Sequence, residues 1–260
     1  MERKFIPIIT IPKSGTNFVN QIMQHTFGIY YTYKLFISRY KELPAFLSRL
    51  ETPTSEIDDP QAHYWCGCTT HSPFNKELAN VLKQHPDRIR PFFVIRDPRD
   101  VVVSYIKGAH LGLFPSSFVD AMKKRDVPLK EQYRLYMEGG NYIDSSGRKA
   151  IIGPLIHNIN ERIEWASQPT ILVLKYEHLI SSYNGGVLYK QGKMMDDIAE
   201  HLEVDTFRVF TAVFNSYTHT TRSLRKGISG SWHQEFDSDL KDIAYREFKE
   251  FIDRFDYEKK

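Results

Sequence analysis

From Phe5 to Ile11 the chain is almost continuously apolar, the pattern of a parallel strand buried on both faces. Polar Lys13 to Asn17 interrupt it, and apolar positions then recur at helical spacing from Asn17 to His25. The same alternation continues along the chain. His63 to Thr69, Pro91 to Ile95 and Thr170 to Lys175 read as further strands. Asn75 to Gln84, Pro98 to His110, Ile151 to Ala166, Met194 to Leu202, Thr206 to Phe214 and Leu240 to Phe255 read as helices. Strands alternating with helices predict an α/β fold, a three-layer domain with a central parallel sheet flanked by helices. Ligands of such sheets sit beyond the carboxyl ends of the strands. Residues 30–60 and 112–150 are aromatic, rich in turn formers and poorly periodic, which predicts walls or lids of a pocket.

Composition narrows the picture only a little. A chain of 260 residues suits one domain spanning residues 1–260. Its formal net charge of +3, with Lys and Arg interspersed among Asp and Glu, offers no basic stripe for nucleic acid or an anionic membrane. Met1-Glu2-Arg3-Lys4 leads straight into a strand, with no signal-peptide or membrane-spanning apolar run, so a cytoplasmic protein is expected. The 2 cysteines, Cys66 and Cys68, lack further ligands at zinc spacing and read as structural thiols.

Three segments carry candidate chemistry. Pro12-Lys13-Ser14-Gly15-Thr16-Asn17-Phe18 joins the first strand to the first helix. A helix N-terminus presents unpaired N–H groups, Gly lets the backbone close around an oxygen, and Lys13 adds a full charge: together, an anion cradle. It is not a Walker A loop, because Lys13 precedes Gly15 and no earlier Gly exists. In the second segment, Arg96-Asp97-Pro98-Arg99-Asp100 follows the third strand. Asp97 fits the N-cap, Pro98 the first helical position and Asp100 a capping-box acid. Arg96 and Ser104 flank this helix start as a second phosphate site. The third segment, Arg225-Lys226-Gly227-Ile228-Ser229-Gly230-Ser231-Trp232, suits a loop closing over a phosphate.

In this order the segments resemble those of the sulfotransferases that use 3′-phosphoadenosine-5′-phosphosulfate (PAPS). The first is similar to that family's 5′-phosphosulfate loop, the second to its 3′-phosphate element and the third to its R-K-G-x-x-G-[DS]-W loop. The resemblance runs from about Phe5 to Phe236 and implies a P-loop-like fold and one donor, released as adenosine 3′,5′-bisphosphate (PAP), with no metal. It implies donor contacts from Lys13, Ser14, Gly15, Thr16, Asn17, Phe18, Arg96, Ser104, Tyr176, Arg225, Lys226 and Gly227, with Phe18 and Tyr176 on the adenine side.

Thr69-Thr70-His71-Ser72-Pro73 is similar to the family's K-[TS]-H-x-P segment, which makes His71 the expected base; Thr69 stands where the family has Lys. An imidazole with an ordinary pKa near ~6.5 accepts a proton at neutral pH without unusual tuning. Lys13 is expected to stabilise the leaving oxygen. The family's K-x-x-x-T-V-x-x-x-E dimer motif is not visible after Trp232. The expected acceptor is a hydroxyl or amine of a small molecule, such as a microbial natural product, with nucleic acid and membrane excluded as partners. Two alternatives stand beside this reading: a non-catalytic nucleotide-binding relative, and an atypical P-loop phosphoryl transferase.

Overall fold

The computed structural model describes residues 4–27, 65–218 and 228–259. In chain order the elements are β1 (Lys4–Thr10), α1 (Thr16–Phe27), β2 (Trp65–Thr70), α2 (Lys76–Gln84), β3 (Phe92–Ile95), α3 (Pro98–His110), α4 (Ser117–Lys124) and α5 (Leu129–Glu138). Then come β4 (Gly140–Ile143), β5 (Lys149–Ile152), α6 (Leu155–Ile163), β6 (Leu172–Lys175), α7 (Tyr176–Leu179), α8 (Leu188–Leu202), α9 (Thr206–Thr218), α10 (Trp232–Glu235) and α11 (Ser238–Arg254). The described residues fall into two compact units, one of residues 4–27, 65–95 and 162–218 and one of residues 96–161 and 228–259.

The first unit holds the parallel sheet, in the order β2-β1-β3-β6. All residues of β3 are buried, as the unbroken apolar run requires. Ile6 and Ile8 of β1, Val94 of β3 and Leu174 of β6 share one core with Phe18, Val19 and Ile22 of α1, Ile198 of α8 and Val209 of α9. Burying each such side chain contributes roughly 1.5–3 kcal/mol. After β1 the chain goes to one side to form β2, then crosses to the other side to form β3. The strand order therefore reverses between β1 and β3, and the loop after β1 starts at this switch point. Helices flank the parallel sheet, an α/β fold as expected.

The second unit is built on α3, whose start follows the sequence signals: Pro98 opens the helix and the Asp97 side chain caps it by accepting from Arg99 N–H. Around α3 pack α4, α5 and α10, and α11 lies against α5. Residues 112–150 are more regular than their weak periodicity suggests, carrying α4, α5, β4 and the start of β5. Both helices are short, and their apolar faces cover too few turns to register as periodicity. Ile151 and Ile152 do not begin a helix; they belong to β5, and the helix starts at Leu155, after Gly153 and Pro154. Asp144 Oδ1 accepts from the N–H groups of Ser146 and Arg148, which closes the hairpin turn. Residues 30–60 lie outside the described residues.

Candidate active site

The loop between β1 and α1 is shaped by two left-handed residues, Lys13 (φ 68°) and Gly15 (φ 102°). They turn the chain from the strand end into the first turn of α1, where the N–H groups of Phe18 and Val19 donate to Gly15 O at 3.0 and 3.1 Å. Ser14 is anchored within the fold. Its N–H donates to Ile11 O at 3.1 Å, its hydroxyl donates to Ile11 O at 2.6 Å and Val94 O at 3.0 Å, and its exposure is 0 %. The side chain thus ties the loop to β3. Gly15 passes so close to the Tyr176 ring that any side chain would collide with it.

Phe18 and Tyr176 are also buried: Phe18 is 1 % exposed and packs between Tyr176 and Tyr217, with ring centroids 6.2 and 5.1 Å away. These rings support the loop from beneath. Thr16 is half-buried and Asn17 exposed at the helix start. Burial pushes the Lys13 ammonium down to about 8, so the loop's cation is held in a poorly solvated place.

His71 follows directly on β2, the strand beside β1, and its side chain is exposed. Its Nδ1 lies 2.6 Å from Thr10 Oγ1 and 3.2 Å from Thr10 O, at the end of β1. Thr16 Oγ1 donates to Thr10 Oγ1 at 2.9 Å. The backbone around His71 is fixed from the other direction: Arg162 Nε donates to His71 O at 2.8 Å, and Trp165 Nε1 to Ser72 O at 3.4 Å. Thr10, Arg162 and Trp165 were not expected from the sequence. No local motif marks them, since each meets its partner only through the sheet order or the return of α6.

In the second unit, Arg96 is buried at the start of α3 and donates from Nη2 to Ile228 O at 2.8 Å, with Asp100 Oδ2 3.8 Å away. Asp100 does not form a capping box. Its carboxylate accepts from Gly230 N–H at 2.7 Å, Ser231 Oγ at 2.7 Å and Trp232 N–H at 3.2 Å. The arrangement holds the end of the third sequence segment on α3. Arg99 is structural: it pairs with Asp97, lies 3.7 Å from the centroid of the buried Trp232 ring and donates to Glu258 O at 2.6 Å. Burial pushes the Asp97 carboxyl up, and the Arg99 contact opposes that shift. Ser104 is half-buried in α3. Arg225, Lys226 and Gly227 lie outside the described residues.

These elements match a model of the sulfotransferase domain over residues 4–256. The chain belongs to the sulfotransferase family. The sulfotransferase is similar in fold to mouse sulfotransferase SULT7A1 complexed with PAP, at 15 % identity and a TM-score of 0.59, covering 96 % of this chain and 84 % of that one. It is similar also to retinol dehydratase in complex with androsterone and inactive cofactor PAP, at 15 % identity and TM-score 0.55, covering 95 % and 80 %. A second retinol dehydratase structure, with retinol and PAP, gives 16 % identity, TM-score 0.51 and coverage of 97 % and 82 %. No curated protein matches the sequence. Among the described residues no helix is long and apolar enough to cross a membrane, and no group of three His, Cys, Asp or Glu could hold a metal ion.

Proposed function

We propose that this sulfotransferase moves the sulfuryl group from PAPS to a hydroxyl or amine of a small-molecule acceptor, in the cytoplasm and without a metal. The observation that carries the reading is the pairing of adjacent strand ends: the β1 end leads into the Lys13 loop, the β2 end carries His71, and Thr10 joins the two. A cation in a poorly solvated loop and an imidazole on the neighbouring strand are the groups that sulfuryl transfer requires.

The loop fits a phosphosulfate. Lys13 supplies charge, the first turn of α1 supplies N–H donors at Thr16 and Asn17, and glycine at position 15 keeps the backbone clear of Tyr176. Ser14, Phe18 and Tyr176 hold the loop's shape from beneath. Arg96, Ser104, Arg225, Lys226 and Gly227 serve the 3′-phosphate. PAPS supplies the activated sulfuryl group. As the acceptor oxygen or nitrogen bonds to sulfur, the bond from sulfur to the 5′-phosphate oxygen breaks, and Lys13 offsets the charge gathering on that oxygen. His71 takes the acceptor's proton at Nε2.

The test pairs binding with turnover. Calorimetric titration is expected to show PAP binding far more tightly than adenosine 5′-phosphate, because charge-assisted contacts to the 3′-phosphate contribute roughly 1.5–3 kcal/mol each. Equal affinities would overturn the donor assignment. With labelled PAPS and an acceptor panel, His71→Ala should lower turnover by ~10²-fold or more while PAP affinity is kept. Tight PAP binding with no wild-type turnover across the panel would favour the non-catalytic reading.

A further inference from the structure

We propose that Thr10 is a positioning residue for the base: it holds the His71 proton on Nδ1 and thereby keeps the Nε2 lone pair for the acceptor. The inference rests on the reading of His71 as the base, and deepens it. Thr10 ends β1 with 0 % exposure and presents two oxygens to one ring nitrogen, Oγ1 at 2.6 Å and its carbonyl O at 3.2 Å.

The carbonyl decides the tautomer. A carbonyl oxygen only accepts, so a bare Nδ1 lone pair would face another lone pair, whereas an Nδ1–H is shared by both oxygens. Thr16 Oγ1 already donates to Thr10 Oγ1, at 2.9 Å. With Nδ1–H as the second donor, the Thr10 hydroxyl uses both of its lone pairs as acceptors. The opposite tautomer would turn the Thr10 hydroxyl proton toward Nδ1 and place a hydrogen on Nε2, where a base needs a lone pair.

The same contact acts again after proton transfer. An imidazolium donates from both nitrogens, and a hydrogen bond from a charged donor is stronger than one from a neutral donor. Thr10 therefore favours the protonated ring over the neutral one and keeps its orientation through the cycle. The chain Thr16 to Thr10 to His71 runs from the first residue of α1 to the base, so the residue that opens the donor loop's helix also braces the group that deprotonates the acceptor.

Thr10→Val keeps the shape of the side chain and the strand preference but removes the hydroxyl; Thr10→Ser restores it. Nitrogen NMR of labelled histidine reads the His71 tautomer directly, without turnover. The wild type should show the proton on Nδ1, and Thr10→Val a mixture of both tautomers. In steady-state kinetics Thr10→Val should lose about tenfold in kcat with little change in KM or PAP affinity. The acid limb of its pH profile should move to lower pH, because the protonated ring has lost an acceptor. Thr10→Ser should return all of these toward wild type.

A wild-type proton on Nε2, or a Thr10→Val protein with unchanged tautomer and pH profile, would overturn the positioning role. Full turnover by His71→Ala would overturn the base assignment instead, and the tautomer measurement keeps the two failures distinct. If valine is not accommodated at position 10, Thr10→Ala provides the same comparison.

Discussion

Gly15 and Tyr176 occupy mutually exclusive space: a Cβ on Gly15 would stand 2.3 Å from Tyr176 Cδ2 and 2.8 Å from Cε2. The aromatic ring is buried, so it has little room to retreat. Gly15 also has φ 102°, a backbone conformation that L side chains rarely adopt. Gly15→Ala should therefore lower stability by about 1–3 kcal/mol and weaken PAP binding together. Thermal melts and calorimetry check it. Adding Tyr176→Leu to the alanine variant should recover part of the stability, since it removes the collision but not the backbone strain.

If Lys13 contacts the nucleotide as proposed, binding should depend on pH. Its folded value of about 8 lies below the ordinary 10.5, and burial is the cause. PAP affinity should fall as pH rises through about 8, where the loop loses its charge. An arriving anion pulls the value up again, so binding near that pH takes up a proton. Calorimetry in buffers of different ionisation enthalpy should detect the uptake, and Lys13→Met should abolish it. Stability moves oppositely. Between about 8 and 10.5 the unfolded chain binds the additional proton, so this group's contribution to stability grows as pH rises.

Asp100 is expected to link stability to the loop it holds. Asp100→Asn keeps one acceptor oxygen but turns an NH₂ group toward donors that now meet a carboxylate, either Gly230 N–H or the pair Ser231 Oγ and Trp232 N–H. A loss of about 1–3 kcal/mol is expected. If residues 225–227 serve the 3′-phosphate, the same variant should narrow the preference for PAP over adenosine 5′-phosphate. Arg96→Ala should remove most of that preference while the protein stays folded. Denaturant melts and competitive titration separate the two effects.

His201 contributes to acid sensitivity. Its Nε2 lies 3.1 Å from Pro91 O, and burial, with the Arg90 charge, lowers its value to about 4 from 6.5. Between those values the unfolded state binds more protons, so stability present above 6.5 is lost as pH falls toward 4. His201→Gln should flatten this pH dependence, read as a smaller fall of Tm on acidification than in the wild type. His178, lowered to about 4 chiefly by burial, adds to the same slope, so the single variant flattens it only in part.

Local order along the chain determined what neighbours in sequence can determine. The apolar run into β1, the Lys13 loop and α1, and the Asp97 cap with Pro98 behind it all depend on residues within one helical turn of each other. The order of the three segments pointed to the sulfotransferase family, and the strand and helix alternation to an α/β fold. Tertiary structure decided the partners. Thr10 meets His71 across 61 positions because β1 and β2 are sheet neighbours, and Asp100 holds Gly230 across 130. Nothing in the local sequence of Ser14 shows that its hydroxyl anchors the loop to Val94 O, 80 positions away. Ile151 and Ile152 looked helical for a related reason: two isoleucines fit either period, and pairing with β4 selected the strand. Periodicity assigns a residue to a face, but only the packed chain shows which other face lies opposite it.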